Sequence, residues 1–234
     1  SITCYIPSVS KDAAGTYDET HDWTVEKSVT PTSQSAFAGD TVDFDWTVTV
    51  DETVTEGNFS VTGSITITNP NPEDALTVAL TDNINGSSAT IGSCTGGTFD
   101  AGNLTIPPGG TATCDYSATP IDRSTSINTA TAVLNGISFI ATDPIEWTAN
   151  VIRGSAVVTD DQYPLNETIS DDYSNTYDDG YTCSSNPADY GTSGSYIHTE
   201  DNTAIVSSGA VEQDRDSAST TCLLYTSPSP RDRT

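Results

Sequence analysis

The sequence predicts an all-β protein, a two-sheet β-sandwich repeated as tandem modules. Three observations carry that expectation. Residues 39–50, Gly-Asp-Thr-Val-Asp-Phe-Asp-Trp-Thr-Val-Thr-Val, alternate strictly: Val42, Phe44, Trp46, Val48 and Val50 fall on one side, and Thr41, Asp43, Asp45, Thr47 and Thr49 on the other. Successive strand side chains point to opposite faces, so this is a strand with one buried and one wet face. The chain is rich in Thr, Val, Ile and Tyr and contains no Met. Hard turn signals also recur along it: Asn69-Pro70-Asn71-Pro72, Pro107-Pro108-Gly109-Gly110 and the hairpin dipeptide Asn135-Gly136.

Charge narrows the function classes. Across 234 residues, 33 acidic side chains stand against 7 basic ones, a formal charge of −26. Such a surface repels nucleic acid and anionic lipid, and no basic stripe exists to bind either. The plain reading of the acid is solubility, including in salty water where screening makes it tolerable. Acidic sites that collect Ca²⁺ are the other reading. No run approaches the roughly 20 apolar residues of a membrane helix. No leader is visible, and both ends read as cut from something longer.

Taken in order, residues 1–16 read as the end of an upstream module and a linker, with 11–20 a polar connector. Trp23, Val25, Lys27 and Val29 alternate as a first strand. The strand at 39–50 follows, then an acidic loop at 51–58, then a strand at 59–68 with Val61, Gly63, Ile65 and Ile67 on one face. Leu76, Val78 and Leu80 make another, and Ala112, Cys114, Tyr116 and Ala118 another. Residues 128–134 and 137–141 flank Asn135-Gly136, and Ile145, Trp147, Ala149 and Val151 close the unit. The expected divisions are 17–152 as a complete sandwich and 153–221 as a second, truncated module. The modules repeat weakly: a cysteine (Cys114, Cys183) precedes an Asn-Thr-Ala strand beginning at Asn128 or Asn202. Trp46 is expected to pack near Trp23 and Trp147.

Residues 222–234 break the composition of what precedes them. Cys222-Leu-Leu-Tyr-Thr-Ser-Pro-Ser-Pro-Arg-Asp232 matches the translated read-through of a transposase-type sequencing adapter, and it is set aside from fold reasoning. That leaves Cys4, Cys94, Cys114 and Cys183.

The ordered motifs Lys27-Ser-Val with Pro31, AGDTVDFDWTVTV, GSITITNPNP, LTVALTDNI, IPPGGTATCDYSA and NTATAV together resemble the DUF11-like repeat domains of bacterial and archaeal surface proteins. The resemblance covers about residues 20–152 well and 153–221 loosely. It implies an immunoglobulin-like sandwich in tandem copies, exposed on a cell surface as a stalk or adhesin, and brings no catalytic residues. The longer acidic stretch at 51–58 departs from the pattern.

Several constellations could carry chemistry. Cys94 and Cys114 flank a Gly/Pro-rich loop and are expected to form a disulfide, with Cys4 and Cys183 paired outside the chain. A zinc site is disfavoured, since only His21 and His198 are present. Lys27 lies on the apolar phase of its strand, where an unpaired lysine is costly. It either snorkels to water or pairs with an acid, or it forms an intramolecular isopeptide bond with Asn128 or Asn69, as in some bacterial surface domains. Asp160, Asp161, Asp171 and Asp172 are weak Ca²⁺ candidates, without an Asp-x-Asp-x-Asp-Gly loop. Asn58, Asn85, Asn103 and Asn166 open formal glycosylation sequons.

No nucleophile elbow, zinc-protease helix motif or phosphate loop is present, so an enzyme is not expected and no cofactor is required. The expected function is a structural or adhesive module of a prokaryotic extracellular surface protein. Its partners would be neighbouring modules of the same chain and cell-wall or surface glycans, not nucleic acid or membrane. The alternative is a carbohydrate-binding sandwich using Tyr163, Tyr173, Tyr177, Tyr181 and Tyr190 as a stacking face.

Overall fold

A computed structural model describes residues 2–225. In chain order the strands are β1 (Ser8–Lys11), β2 (Ala14–Thr30), β3 (Ser33–Phe37), β4 (Thr41–Thr68), β5 (Leu76–Ile84), β6 (Ser87–Ser88), β7 (Thr90–Thr95), β8 (Thr98–Asp100) and β9 (Asn103–Ile106). There follow β10 (Thr111–Ala118), β11 (Ile127–Leu134), β12 (Ile137–Pro144), β13 (Glu146–Ile152), β14 (Ala156–Asp160), β15 (Asn166–Ile169), β16 (Tyr173–Thr182), β17 (Ser195–Ser208) and β18 (Val211–Tyr225). One 3₁₀ turn, Pro187–Asp189, interrupts them. The all-β expectation holds.

The chain forms two compact units that interleave in sequence. Unit 1 is Ser1–Thr20 with Thr55–Ile152, and unit 2 is His21–Val54 with Arg153–Thr234. The boundary expected after residue 152 is one passage between units, but residues 21–54 belong with the chain from Arg153 onward. Strand β2 carries residues 14–20 in unit 1 and 21–30 in unit 2, while β4 carries 41–54 in unit 2 and 55–68 in unit 1. Two expected connectors are therefore strand. Residues 51–58 lie within β4, and 11–20 lie mostly in β1 and β2. Both stretches put polar residues on each face, so no period-2 hydrophobic signal marks them.

In unit 1, the second part of β4 lies between β1 and β10, and β10 pairs with β7. The first part of β2 pairs in parallel with β13. The facing sheet runs β12-β11-β5-β9-β8. Val61, Ile65, Ile67 and Tyr116 meet Val78, Leu80, Leu104 and Ala130 in its core. The β11–β12 hairpin turns at Asn135 (φ 52°) and Gly136 (φ 82°), the positive values that a two-residue hairpin of this kind demands.

In unit 2, the first part of β4 lies between β2 and β16, and the facing sheet runs β15-β14-β17-β18-β3. Trp23, Val48 and Val50 pack with Val158, Ala204 and Val206, and Phe44, Trp46 and Tyr177 with Cys222 and Leu224. Unit 1 matches the strand order of an immunoglobulin-like sandwich, with A, B, E and D on one sheet and C, F and G on the other, and unit 2 keeps A, B and E facing C, F and G. Strands β1, β4, β10 and β7 face β5, β11 and β12 in unit 1; β2, β4 and β16 face β14, β17 and β18 in unit 2. Unit 2, expected to begin at residue 153, also takes in the segments of β2 and β4 within residues 21–54.

Two further expectations are corrected. Trp46, Trp23 and Trp147 sit in three different apolar clusters rather than together, because the three strands belong to different parts of the two units. Cys222 and Leu224, set aside with the tail, are buried in β18, where the run Thr220, Cys222, Leu224 continues the inward phase. Residues 226–234 of that tail lie outside the described residues.

Candidate functional site

The sandwich interior of each unit holds one polar cluster, and both clusters are built from the same four residue types. In unit 2, Lys27 on β2 sits on the inward phase that its alternation predicts and is only 4% exposed. Its Nζ donates to Oδ2 of Asp160, at the end of β14, at 2.5 Å, and to the hydroxyl of Tyr177 on β16 at 2.8 Å. The Tyr177 hydroxyl donates to the same Asp160 oxygen at 3.1 Å and accepts a hydrogen bond from Nδ2 of Asn202 on β17. Oδ1 of Asp160 accepts the backbone N–H groups of Gln162 and Tyr163, both at 3.0 Å. Oδ1 of Asn202 is buried without a hydrogen-bond partner.

In unit 1, Lys11 closes β1 with its side chain fully buried beside Asp82 of β5, Nζ to Oδ1 3.5 Å. Lys11 Nζ donates to the hydroxyl of Tyr116 on β10 at 2.9 Å, and that hydroxyl donates to the Asp12 carbonyl at 2.6 Å. Asn128 of β11 is fully buried beside Asp82 and Tyr116. Its amide favours the ionised form of both neighbours. Yet neither Asn128 polar atom, nor either Asp82 oxygen, completes a hydrogen bond of normal geometry. Gly63 makes room for this cluster: a Cβ there would fall 2.2 Å from the Asp12 carbonyl oxygen and 2.6 Å from the Tyr116 hydroxyl.

Strand register explains why the clusters coincide. Asp82 lies opposite Ala130, and Asn128 precedes Ala130 by two residues. Asp160 lies opposite Ala204, and Asn202 precedes Ala204 by two residues. In each unit the Asn-Thr-Ala motif therefore sets its amide diagonally across from an aspartate on the same face. The tyrosine comes from the neighbouring sheet, opposite Gly63 in unit 1 and opposite Trp46 in unit 2. Lys27 Nζ lies 5.4 Å from the centre of the Trp46 ring.

Burial sets the electrostatics. It holds both lysines below the ordinary amine value, the attraction of Asp82 and Asp160 notwithstanding. It raises the Asp82 carboxyl against the opposing pull of Lys11 and Asn128. Burial acts the same way on Asp160, but the Lys27 ammonium and the two backbone N–H donors outweigh it and leave that carboxyl low. Desolvation raises both tyrosine hydroxyls, so they stay protonated.

The expected pair of Lys27 with Asn128 is not brought together. Asn128 belongs to the unit 1 cluster with Lys11, and the asparagine beside Lys27 is Asn202. Asn69, the other acceptor considered, spends its amide on the carbonyls of Asp74 and Pro107 at 2.8 and 3.0 Å. Lys11 falls in the stretch expected as a connector but closes β1. Its signal was the period-2 relation to Val9, weak because the strand has only four residues.

The Ca²⁺ candidates are dispersed. Asp160 belongs to the cluster, Asp161 accepts from the Thr203 N–H, and Asp172 accepts from the Glu52 N–H. Asp171 caps the N–H of its neighbour Asp172. Among the described residues no group of three or more acidic, His or Cys side chains is placed to hold a metal. His21 lies against Glu52, and His198 stacks on Tyr181 with ring centres 3.8 Å apart.

Cys94 and Cys114 form a disulfide across directly opposed positions of β7 and β10. Closing a loop of this length stabilises by about 3 kcal/mol, so a Cys94→Ser/Cys114→Ser variant should lose roughly that much in urea unfolding. An unchanged denaturation midpoint would mean that the bridge contributes nothing. Cys183 and Cys222 are buried thiols in one apolar cluster. Burial comes first in raising both, and the Cys222 thiol is pushed up to about 11. Both are therefore poor nucleophiles.

No protein-family model matches the chain, and no curated protein sequence matches it. Among solved structures it is similar to the titin domains Z1Z2 in complex with telethonin, at 11% identity, covering 86% of this chain and 96% of that one, with a TM-score of 0.22. It is also similar to a chimeric titin Z1Z2 carrying an exogenous peptide from decorin, at 12% identity, 87% and 97% coverage and a TM-score of 0.20. Scores at this level carry no argument, and the class of the protein, an all-β sandwich of immunoglobulin-like strand order, rests on its own sheets.

Proposed function

We propose that the chain is a structural part of an extracellular prokaryotic surface protein, a spacer or stalk with adhesion as its extension, of the kind that DUF11-like repeats form. It works without catalysis or cofactor, alongside neighbouring modules of its own chain. The observation behind this reading is that the Lys–Asp clusters of both units are buried inside the sandwiches, where they bear on the stability of the fold. The disulfide fits an oxidising, extracytoplasmic setting, and no helix among the described residues is long and apolar enough to cross a membrane. The acidic surface favours solubility over docking to nucleic acid or anionic lipid.

A carbohydrate-binding role needs aromatic rings lining one accessible face. Tyr177 and Tyr190 are instead 7% and 6% exposed. Tyr173 packs on an apolar cluster, and Tyr181 stacks on His198. Tyr163 is 37% exposed, but its ring is stacked on Tyr177 at 4.0 Å. The test is calorimetric titration of the full chain with soluble cell-wall and plant-type oligosaccharides. No heat of binding is expected. Saturable binding lost in Tyr163→Ala would replace the structural reading with the carbohydrate one.

A further inference from the structure

Lys11 and Lys27 are the only lysines in the chain. In a protein whose surface is overwhelmingly acidic, both are placed inside, and each stands in a cluster with one aspartate, one tyrosine and one asparagine. We propose that each lysine is joined to its asparagine by an intramolecular isopeptide bond, Lys27 to Asn202 in unit 2 and Lys11 to Asn128 in unit 1, with Asp160 and Asp82 carrying the proton.

The reaction balances within the cluster. The uncharged Nζ amine attacks Cγ of the asparagine. A Cγ–Nζ bond forms and the Cγ–Nδ2 bond breaks. The aspartate takes a proton from the attacking nitrogen and passes it to the departing Nδ2, which leaves as ammonia. A primary amine and a primary amide become a secondary amide and ammonia, and the carboxyl ends as it began. The balance requires no further reactant.

Four observations support this assignment. First, nucleophile and acceptor converge on one atom: Lys27 Nζ and Asn202 Nδ2 both donate to the Tyr177 hydroxyl, and Lys11 Nζ donates to the Tyr116 hydroxyl beside Asn128. Fixing both groups in this way replaces a bimolecular encounter by an oriented one. Second, the acid is in place, with Asp160 2.5 Å from the attacking nitrogen and Asp82 3.5 Å from its counterpart. Third, polar atoms without a well-formed hydrogen bond gather at these sites: both amide atoms of Asn128, Oδ1 of Asn202 and both Asp82 oxygens, of which Oδ1 faces Lys11 Nζ at 3.5 Å. Buried polar groups are normally satisfied, and these unsatisfied atoms sit where the amine, the carboxyl and the amide would react. Fourth, burial favours the neutral amine that must attack. The product removes a buried ammonium altogether, which an ion pair cannot do.

The duplication strengthens the case. The two clusters share no residue, yet lysine, aspartate, tyrosine and asparagine occupy the same strand roles and the same Asn–Asp diagonal in both units. Apolar packing alone has no need to repeat such a set.

Intact mass of the full chain, denatured and reduced, tests the proposal. The expected chain is lighter than its sequence by two ammonias. Digestion at acidic residues should release two branched peptides, one joining Lys11 to Asn128 and one joining Lys27 to Asn202. Lys27→Arg and Asn202→Ala should each restore one ammonia and leave the unit 1 branch intact. Asp160→Asn, which keeps the shape of the acid without its proton transfer, should also restore one. A full-mass chain overturns the proposal, and so does ammonia loss without branched peptides, because succinimide formation at Asn85-Gly86 or Asn135-Gly136 also expels one ammonia. A single branch supports the bond in that unit and overturns it in the other. Circular dichroism of each variant separates failure to fold from failure to react: a folded full-mass wild type is decisive whatever the variants do.

Discussion

Asp160→Ala is expected to destabilise unit 2 by about 3–5 kcal/mol, the usual cost of removing one partner from a buried charge pair. The Asp160 and Lys27 side chains are both 0% exposed, so no water replaces the lost carboxylate. The same change leaves the Tyr177 hydroxyl and the N–H groups of Gln162 and Tyr163 without their acceptor. Replacing both charges by apolar residues, as in Lys27→Met/Asp160→Leu, removes the stranded ammonium and should recover part of the loss. Urea denaturation followed by tryptophan fluorescence measures both. A double variant no more stable than Asp160→Ala would mean that charge burial is not the dominant cost. If Lys27 is joined to Asn202, Asp160→Ala also prevents that bond, and the loss grows by whatever the cross-link contributes.

Trp46→Ala should cost about 3–5 kcal/mol, in the range for large aromatic truncations in a core. Trp46 is 0% exposed, stands opposite Tyr177 in the β4–β16 register and lies under Lys27. Its removal would open a cavity beneath the cluster as well as forfeit apolar burial. Trp46→Phe should cost clearly less, because it keeps most of the ring and discards an indole N–H that has no partner. If Trp46→Phe proved as damaging as Trp46→Ala, the ring's position under Lys27 would matter more than the volume it fills.

Much of the β architecture was legible because inward residues follow a two-residue period. The run from Val42 to Val50 is buried at every second position, as its pattern requires, and Asp43 and Asp45 face solvent. The Asn135-Gly136 hairpin and the Cys94–Cys114 bridge were readable for the same local reason, turn chemistry and cross-strand proximity. Lys27 was conspicuous because a lysine on an inward phase needs an explanation. Its partners were not legible, since Asp160, Tyr177 and Asn202 are contributed by β14, β16 and β17, far along the chain.

The interleaving of the units is the largest difference between sequence and structure. The motifs that read as one ordered module, from Lys27-Ser-Val to NTATAV, come from two. Lys27 and residues 41–50 supply A and B strands to unit 2, while residues 76–84 and 127–134 supply C and F strands to unit 1. Nothing local could mark this. The crossing segments around residues 20 and 55 are polar on both faces, and a strand without an apolar face looks like a loop until its backbone partners are known.

By itself, then, the sequence determined the fold class, the inward faces of the long strands, the tight turns and the acidic surface, all properties set by neighbours along the chain. Only the tertiary structure decided which strands share a sheet, which unit Lys27 belongs to, and that Asn202 rather than Asn128 stands beside it. Those depend on pairing between residues far apart in sequence, where register, not composition, selects the partner.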